Sequence, residues 1–283
     1  MLLSISQSVL AQKNQNKTGE LVSLENYFAA LVKSKGIKTG FLKVSDANTV
    51  VFKPGPTNAQ EFFKDKLPGN SEVLVWEPVW AKISKSGDWG FTTGPYNYKE
   101  NDSSKITSYG QYLSVWKKNK KGLWKLALDI GIPHKKPVSK PKLVFIDPEN
   151  GRYIHQQSTS RLQQREDIVL SSDKLFSTIL KANNRVAREE FLAEDTRLLF
   201  PGFEPVIGKK AVTDFWNKQN LKLLSTPTQA DRAYSGELAY TYGEAQTEQK
   251  GKVRKYHYIR VWEVQPGFKW SVILEAFAAE RTN

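Results

Sequence analysis

The chain reads Ser86-Gly87-Asp88-Trp89-Gly90-Phe91-Thr92-Thr93-Gly94 and, in its second half, Ser235-Gly236-Glu237-Leu238-Ala239-Tyr240-Thr241-Tyr242-Gly243. Each stretch begins with a Ser-Gly-acid turn and continues into residues that favour strands. Glycine adopts a positive φ at no steric cost, so Gly87 and Gly236 each predict a hairpin turn. The same turn and strand are therefore predicted in both halves.

Further landmarks extend this repeat in the same order. Tyr112-Leu113-Ser114-Val115-Trp116 matches Tyr258-Ile259-Arg260-Val261-Trp262, and Trp124 and Trp270 follow at equal distances. The offset between the copies stays between 146 and 149 residues. A period this long indicates a duplicated domain rather than a solenoid.

The order of elements within each copy predicts the fold class. Apolar residues recur at helical spacing over 21–32 and 168–180. Short strand-like runs then end at Pro-Gly turns, a further helix follows, and longer strands complete each copy. We expect the first long strand to run unbroken over 72–84. The order is typical of the α+β class and predicts two tandem cone-shaped α+β barrels, each with helices packed on a strongly curved, mostly antiparallel sheet.

Composition excludes several classes of site. The 283 residues include no cysteine and three histidines, and the formal net charge is +13. A chain without cysteine has no disulfide, thiolate nucleophile or cysteine-based metal site. The charge comes mainly from lysines, and no nucleic-acid-binding motif accompanies it, so we expect no nucleic-acid partner. We also expect no metal, no cofactor and no membrane span, since no apolar run reaches about 18 residues.

The first residues predict export. Val9-Leu10-Ala11 followed by Gln12 is typical of the end of a signal peptide, with the cut near Ala11. We therefore expect a secreted or periplasmic protein. The predicted organisation is a signal-peptide remnant and disordered lead over 1–18, a first domain over 19–132, a linker over 133–164 and a second domain over 165–283. An apolar run in the linker, 143–146, predicts an edge strand or packing between the copies.

These motifs resemble a known superfamily. The Asp46–Gly55 and Asp195–Gly202 regions, the Ser86–Gly90 hairpin and the Val115–Lys125 ending are similar to the nuclear transport factor 2-like superfamily, in its SnoaL-like and ketosteroid isomerase-like branch. The resemblance covers about residues 19–132 and 165–280 and is closest to secreted bacterial members of unknown function. It implies cone-shaped domains that pair through their sheets, so the two copies are expected to form an intramolecular pseudo-dimer. Fold alone does not choose among its isomerases, cyclases, lyases and binding modules.

The resemblance also implies where a catalytic base would lie. In the isomerase branch, a carboxylate at the end of the first short strand moves the proton. The matching positions here are Phe52 and Phe200, which accept no proton. We therefore expect both cones to lack that acid.

Three other residues are candidates for acid–base chemistry. Glu77 lies among aromatic residues, Asp129 lies on the last strand of the first copy, and His257 begins a strand of the second. A carboxyl group inside an aromatic cone would have a raised pKa and could serve as a general acid or base. Solvated or structural roles are the alternatives.

Aromatic residues are the candidates for ligand binding. Strand alternation sends about half of them to each face, where they either line a cavity or fill the cone. We expect Trp76 and Trp80 to share one face. The full set of candidates is Trp76, Trp80, Trp89, Phe91, Tyr96, Tyr112, Trp116, Tyr240, Tyr242 and Tyr258.

The sequence thus predicts a protein that binds a small apolar or cyclic ligand in an aromatic-lined cavity and catalyses no reaction. The alternatives are a SnoaL-like enzyme acting by general acid–base chemistry and a protein-interaction module. An enzyme predicts an inward acid in an open cavity, and a binding module predicts a cavity whose polar wall groups are satisfied and do not titrate. An interaction module predicts filled cones and an exposed patch.

Overall fold

The computed structural model describes residues 17–65, 71–149, 153–154 and 158–280. In the first half, three helices precede the long strands of a sheet. The elements are α1 (Lys17–Lys35), α2 (Ile37–Val44), β1 (Val50–Phe52), β2 (Pro56–Asn58), α3 (Ala59–Lys64), β3 (Val73–Trp76), β4 (Trp80–Ile83), β5 (Trp89–Lys99), β6 (Ser108–Lys118), β7 (Trp124–His134) and β8 (Val144–Ile146).

The second half repeats this order. Its elements are α4 (Thr159–Ala182), α5 (Asn184–Phe191), β9 (Leu192–Leu199), β10 (Val206–Ile207), α6 (Lys209–Gln219), β11 (Lys222–Arg232), β12 (Leu238–Gln249), β13 (Lys252–Gln265) and β14 (Lys269–Ala279).

Each half forms its own sheet. The first has the order β2-β1-β7-β6-β5-β4-β8, with β3 also paired to β5, and the second has the order β10-β9-β14-β13-β12-β11. The β1–β7, β4–β8 and β9–β14 pairs are parallel, and the other pairs are antiparallel. The predicted α+β class, with a mostly antiparallel sheet in each copy, is confirmed.

The helices cover one face of each sheet. Helix α1 buries Leu21, Phe28 and Val32 against that face, and α4 does the same with Val169 and Phe176. We call the space between α1–α3 and the first sheet the first cup, and the space between α4–α6 and the second sheet the second cup. Among the described helices, none is long and apolar enough to cross a membrane.

The other faces of the two sheets pack against each other. Their apolar side chains form one cluster, called here the shared core. Burial on both sides of each sheet directs the residues in the middle of the strands either into a cup or into the shared core. The shared core includes Phe52, Trp80, Trp89, Phe91, Leu113 and Val115 of the first sheet and Tyr240, Ile259, Val261, Ile273 and Leu274 of the second.

The two Ser-Gly turns meet across this boundary. The Ser86 and Ser235 hydroxyls lie 2.7 Å apart, and each hydroxyl accepts a hydrogen bond from the other residue's backbone N–H. The Lys85 N–H donates to Glu237 at 2.6 Å, and the Tyr234 N–H donates to Asp88 at 3.2 Å. Gly87 and Gly236 both have positive φ, as predicted. The duplicated turn therefore also joins the domains.

Several element bounds differ from the sequence prediction. Helix α1 begins at Lys17, and the buried Thr18 donates its N–H to Asp147, so the predicted disordered lead is too long. Strand β8 extends the first sheet, so the predicted edge strand is confirmed, and α4 begins at Thr159, inside the predicted linker. The predicted signal peptide ending near Ala11 lies outside the described residues. The domain bounds stay a prediction.

The predicted strand over 72–84 is two strands. Trp76 pairs with Tyr96 and Trp80 pairs with Thr93, so four residue steps oppose three on β5. Pro78, which has no N–H to donate, lies in this irregular segment. The extra residue reverses the alternation, as in a β-bulge. Trp76 therefore lies in the first cup, and Trp80 lies in the shared core.

Phe91 tests the shared core. It is fully buried and packs edge-to-face on Trp80 with ring centroids 4.9 Å apart. We expect Phe91→Ala to lower the free energy of unfolding by about 3–5 kcal/mol in urea denaturation, because the cavity left between the sheets cannot collapse fully. The control is Phe268→Ala, at a residue that is 91% exposed, with an expected change below about 0.5 kcal/mol. Equal effects of the two variants would contradict this packing.

Candidate functional site

The first cup contains a cavity of about 320 Å³. This volume lies within the range of small-molecule sites, which is about 300–1,000 Å³. Aromatic side chains form most of its wall, and polar groups lie at the floor and the mouth. The lining residues are Phe28, Ile37, Phe41, Lys53, Phe62, Phe63, Glu72, Leu74, Trp76, Tyr96, Tyr98, Ser108, Tyr112, Asp129 and Gly131.

Asp129 is the buried carboxyl group at the floor of this cavity. It lies on β7 and is 9% exposed, and the Ser114 hydroxyl donates to it at 2.8 Å. Burial raises the pKa of Asp129 to about 6, although the charge of Lys53 and the bond from Ser114 oppose the rise. Asp129 therefore changes its charge near neutral pH.

Tyr112 places a second polar group at the cavity wall. The side chain is 5% exposed. Within the described part of the chain, its buried hydroxyl approaches the Thr92 side chain but makes no bond of full hydrogen-bonding geometry. Burial raises the pKa of Tyr112 well above its ordinary value, so the hydroxyl stays protonated. A buried hydroxyl without a partner is costly unless a bound molecule supplies one.

Glu25 lies behind the cavity wall, on α1. It is fully buried and accepts hydrogen bonds from the indole N–H groups of Trp76 and Trp116, at 2.6 and 2.7 Å, and from the Thr92 hydroxyl, at 2.6 Å. Burial raises the pKa of Glu25 to about 7, although these three bonds lower it. The carboxyl group fixes the orientation of Trp76, which lines the cavity.

The mouth of the cavity carries both signs of charge. Lys53 and Glu72 line the cavity and are exposed, so they lie where it meets solvent. The Tyr98 hydroxyl donates to Glu72 at 2.7 Å, and this bond raises the pKa of Tyr98 to about 12. A ligand entering the cavity thus passes one cationic and one anionic group.

The interior of the second cup contains a buried arginine. Arg260 has no solvent exposure, and its guanidinium donates to both Asp173 and Glu275, at 2.9 Å for the latter. It also lies 4.3 Å from the ring centroids of Phe176 and Tyr258. Burial alone would lower the pKa of Arg260. The charge of Asp173 and the other acidic partners raise this pKa by more than burial lowers it, so the guanidinium stays charged.

The two cups have the same polar framework. Thr92, Ser114 and Asp129 lie opposite one another on β5, β6 and β7. Thr241, Arg260 and Glu275 form the matching row on β12, β13 and β14. The threonine of each row donates to the acid of the first helix, Glu25 or Asp173. The middle residue of the row, serine or arginine, is the main difference.

Three of the ten predicted ligand-binding residues line the cavity. These are Trp76, Tyr96 and Tyr112. Trp116 lies in the first-cup cluster and donates to Glu25, outside the cavity lining. Tyr258 lies in the second cup, where its hydroxyl donates to Asp173 at 2.9 Å.

The prediction that they line a cavity is wrong for the remaining five aromatic candidates. They lie in the shared core, where the opposite sheet covers them. Trp80 was misassigned because of the irregular segment after Trp76, and the others because alternation alone does not say which face forms the cup. The five residues are Trp80, Trp89, Phe91, Tyr240 and, at the margin of the cluster, Tyr242.

The catalytic candidates are dispersed. Asp129 lies in the cavity, whereas Glu77 is exposed in the irregular segment and does not line it. His257 lies in the second domain, 3.5 Å from Glu280, and its ring lies close to Gly55 of the first. Of the two roles left open for Glu77, the structure therefore favours the solvated one, and His257 does not line the cavity.

The interpretation of Phe52 is also corrected. Phe52 points into the shared core, and its neighbour Lys53 lines the first cup. Phe200 does lie in the second cup, against Trp216 and Phe277. Neither position carries an acid, but Asp129 and Glu275 are buried in the cups on the last strand of each sheet.

Sequence reasoning missed the acids on the first helices. A signal was present, because Glu25 falls four residues after Leu21 and three before Phe28, on the buried face of α1. Asp173 has the same position between Val169 and Phe176. An acid within the apolar stripe of both copies indicates a buried polar network rather than a solvated face.

Comparisons with known proteins add the following. No family model and no curated protein matches the sequence. A solved NTF2-like protein from Cytophaga hutchinsonii is 18% identical, covers 40% of this chain and 97% of its own, and has a TM-score of 0.35. A ketosteroid isomerase-like protein from Erwinia carotovora atroseptica is 10% identical, with coverages of 45% and 100% and a TM-score of 0.34.

A third similar structure is an LEH-like epoxide hydrolase from M. tuberculosis. It is 13% identical, with coverages of 44% of this chain and 83% of its own and a TM-score of 0.32. Each match covers less than half of this chain and most of the other.

Arg260 tests the framework of the second cup. We expect Arg260→Met to lower the free energy of unfolding by about 3–5 kcal/mol at pH 7, because it leaves Asp173 and Glu275 buried without a cation. Chemical denaturation measures the change. The control is Arg185→Met, which removes an exposed ion pair with Glu189 and should leave the free energy of unfolding nearly unchanged. A loss no larger than the control's would contradict a charged, buried network.

Glu25 tests the first cup. Below pH 4.5, its ordinary pKa, the carboxyl group is protonated in both the folded and unfolded states. Between pH 4.5 and about 7 the unfolded chain releases this proton while the folded protein retains it, so Glu25 lowers the free energy of unfolding as pH rises. The decrease should reach on the order of 3 kcal/mol.

The matched variant is Glu25→Gln, which does not titrate. The difference in unfolding free energy between the two proteins should change over this pH window, and most of the contribution of Asp129 cancels, because its charge has the smallest of the effects on the pKa of Glu25. Denaturation at closely spaced pH values measures it. Parallel pH profiles would show that Glu25 has an ordinary pKa.

Proposed function

We propose that the first domain binds a small, partly apolar ligand in its aromatic-lined cavity. The observation that carries this proposal is the cavity itself, which combines an aromatic wall with the Asp129 carboxyl group and the Tyr112 hydroxyl. Apolar walls with a few fixed polar groups are typical of small-molecule sites. In this proposal the second domain, whose cup contains Arg260, has a structural role.

Ligand binding is the function that we propose, and acid–base catalysis is its alternative, because an inward acid in an open cavity is what an enzyme predicts. Asp129 is the one catalytic candidate at the cavity, and Glu77 and His257 lie elsewhere. Its raised pKa supports the alternative of a SnoaL-like enzyme that uses Asp129 as general acid or base. Under that alternative, Asp129→Asn would abolish turnover of a ligand that still binds. The interaction module is disfavoured because it requires filled cones.

Two further parts of the proposal concern organisation and location. We infer that the domains form an intramolecular pseudo-dimer, which the shared core and the paired Ser-Gly turns support. We also propose that the protein is secreted or periplasmic. The segment Val9-Leu10-Ala11-Gln12 supports this location.

A cavity-filling variant tests ligand binding. Gly131 lines the cavity, and a Cβ there would contact Tyr96 at an ordinary 3.4 Å. We expect Gly131→Leu to fold and to lose most of the available volume. Indole and benzamide should bind the natural protein with Kd of about 1 mM or tighter by saturation-transfer NMR, and at least about tenfold more weakly after the substitution.

The control is Ser103→Leu, which adds the same side chain at an exposed position. It should leave both affinities unchanged. If Gly131→Leu leaves both affinities unchanged, the ligand site lies elsewhere. If neither indole nor benzamide binds the natural protein, the proposal is contradicted.

A further inference from the structure

The second cup shows which chemical group this framework holds. There, a guanidinium lies between two carboxylates and against two aromatic rings, and all of these groups belong to the protein. Cations are attracted to aromatic faces and to buried carboxylates, most strongly where water is excluded. Arg260 thus occupies a buried cation site within its own domain, although its Nη2 has no hydrogen-bond partner among the described residues.

The first cup retains the groups that surround this cation. Phe28, Tyr112 and Asp129 occupy the positions of Phe176, Tyr258 and Glu275, and all three line the open cavity. Ser114 replaces Arg260 in the matching row, so the first cup lacks a side-chain guanidinium at that position. A serine side chain reaches far less of the interior than an arginine side chain.

The Tyr112 hydroxyl provides an independent indication. In the second cup, the Tyr258 hydroxyl donates to Asp173, beside the guanidinium. In the first cup, Glu25 accepts from Trp76, Thr92 and Trp116 instead, and the buried Tyr112 hydroxyl approaches only the Thr92 side chain, without full hydrogen-bonding geometry. Its oxygen can accept a hydrogen bond from a bound N–H group.

We propose that the first cup binds an organic cation, a guanidinium, amidinium or primary ammonium group attached to an apolar or aromatic body. The cation pairs with Asp129 near Ser114, in the place that corresponds to the Arg260 guanidinium. The body of the ligand lies against the aromatic wall. This inference rests on the proposed function, to which it adds the chemical class of the ligand.

The charges around Asp129 set the conditions of the test. Lys53 approaches from β1 and Glu25 lies on α1, and both influence Asp129 through space. Tyr96 and Tyr112, whose pKa values burial raises, remain neutral. At pH 7.5 the Asp129 carboxyl group is mainly ionised, since its pKa is about 6.

Three ligands of the same shape separate charge from fit. Benzamidinium is a cation, benzamide is neutral and benzoate is an anion, and their affinities are measured by calorimetric titration at pH 7.5. We expect benzamidinium to bind at least about tenfold more tightly than benzamide, and benzoate to bind most weakly. Tightest binding of benzoate would assign the site to anions through Lys53 and overturn the proposal.

Variants assign the preference to residues. Asp129→Asn should remove the preference for benzamidinium and leave benzamide binding intact. Ser114→Arg supplies the guanidinium of the second cup and should abolish benzamidinium binding, whereas the control Ser114→Ala should retain it. Lys53→Met should strengthen benzamidinium binding, because it removes a nearby positive charge. Circular dichroism and thermal unfolding confirm that each variant is folded.

The outcomes distinguish the two proposals. Equal binding of benzamide and benzamidinium, lost in Gly131→Leu, would leave the cavity as a ligand site and overturn its cation specificity. A preference for benzamidinium that survives Asp129→Asn would also overturn it. Failure of all three compounds to bind would contradict both proposals.

Discussion

Burial of both faces of each sheet is the constraint on which the rest of the structure depends. Helices cover one face, and the opposite sheet covers the other. Successive strand residues therefore enter two different dry environments rather than one core and one solvent. A shift of one residue moves a side chain from a cup to the shared core, as Phe52 and Lys53 illustrate. The chemistry of each cup is set by strand register.

This constraint explains what the sequence could and could not predict. The duplication, the α+β class and the hairpin turns follow from local patterns, because glycine turns and helical spacing need no tertiary information. Local patterns do not tell which face of the sheet each aromatic side chain occupies, because both faces are apolar and the alternation is the same on each. In the irregular segment 77–79, the alternation of side chains between the two faces reverses. This reversal is visible only in the pairing of β3 and β4 with β5.

The candidate site was partly predictable for the same reason. Asp129, Trp76, Tyr96 and Tyr112 were identified as residue types suited to a cavity, but the sequence could not separate them from Trp89 or Tyr240. Glu25 was detectable as an acid within an apolar helical stripe in both copies. Its partners were not, because Trp76, Thr92 and Trp116 reach it from three different strands.

The tandem arrangement has an evolutionary consequence. In a dimer of identical chains, every substitution appears in both subunits, so a residue that closes one interior closes the other as well. Here the two copies are separate parts of one gene product and mutate independently. Arginine could thus stabilise one interior while serine left its twin open. Duplication relieves a symmetric assembly of the need to keep both halves alike.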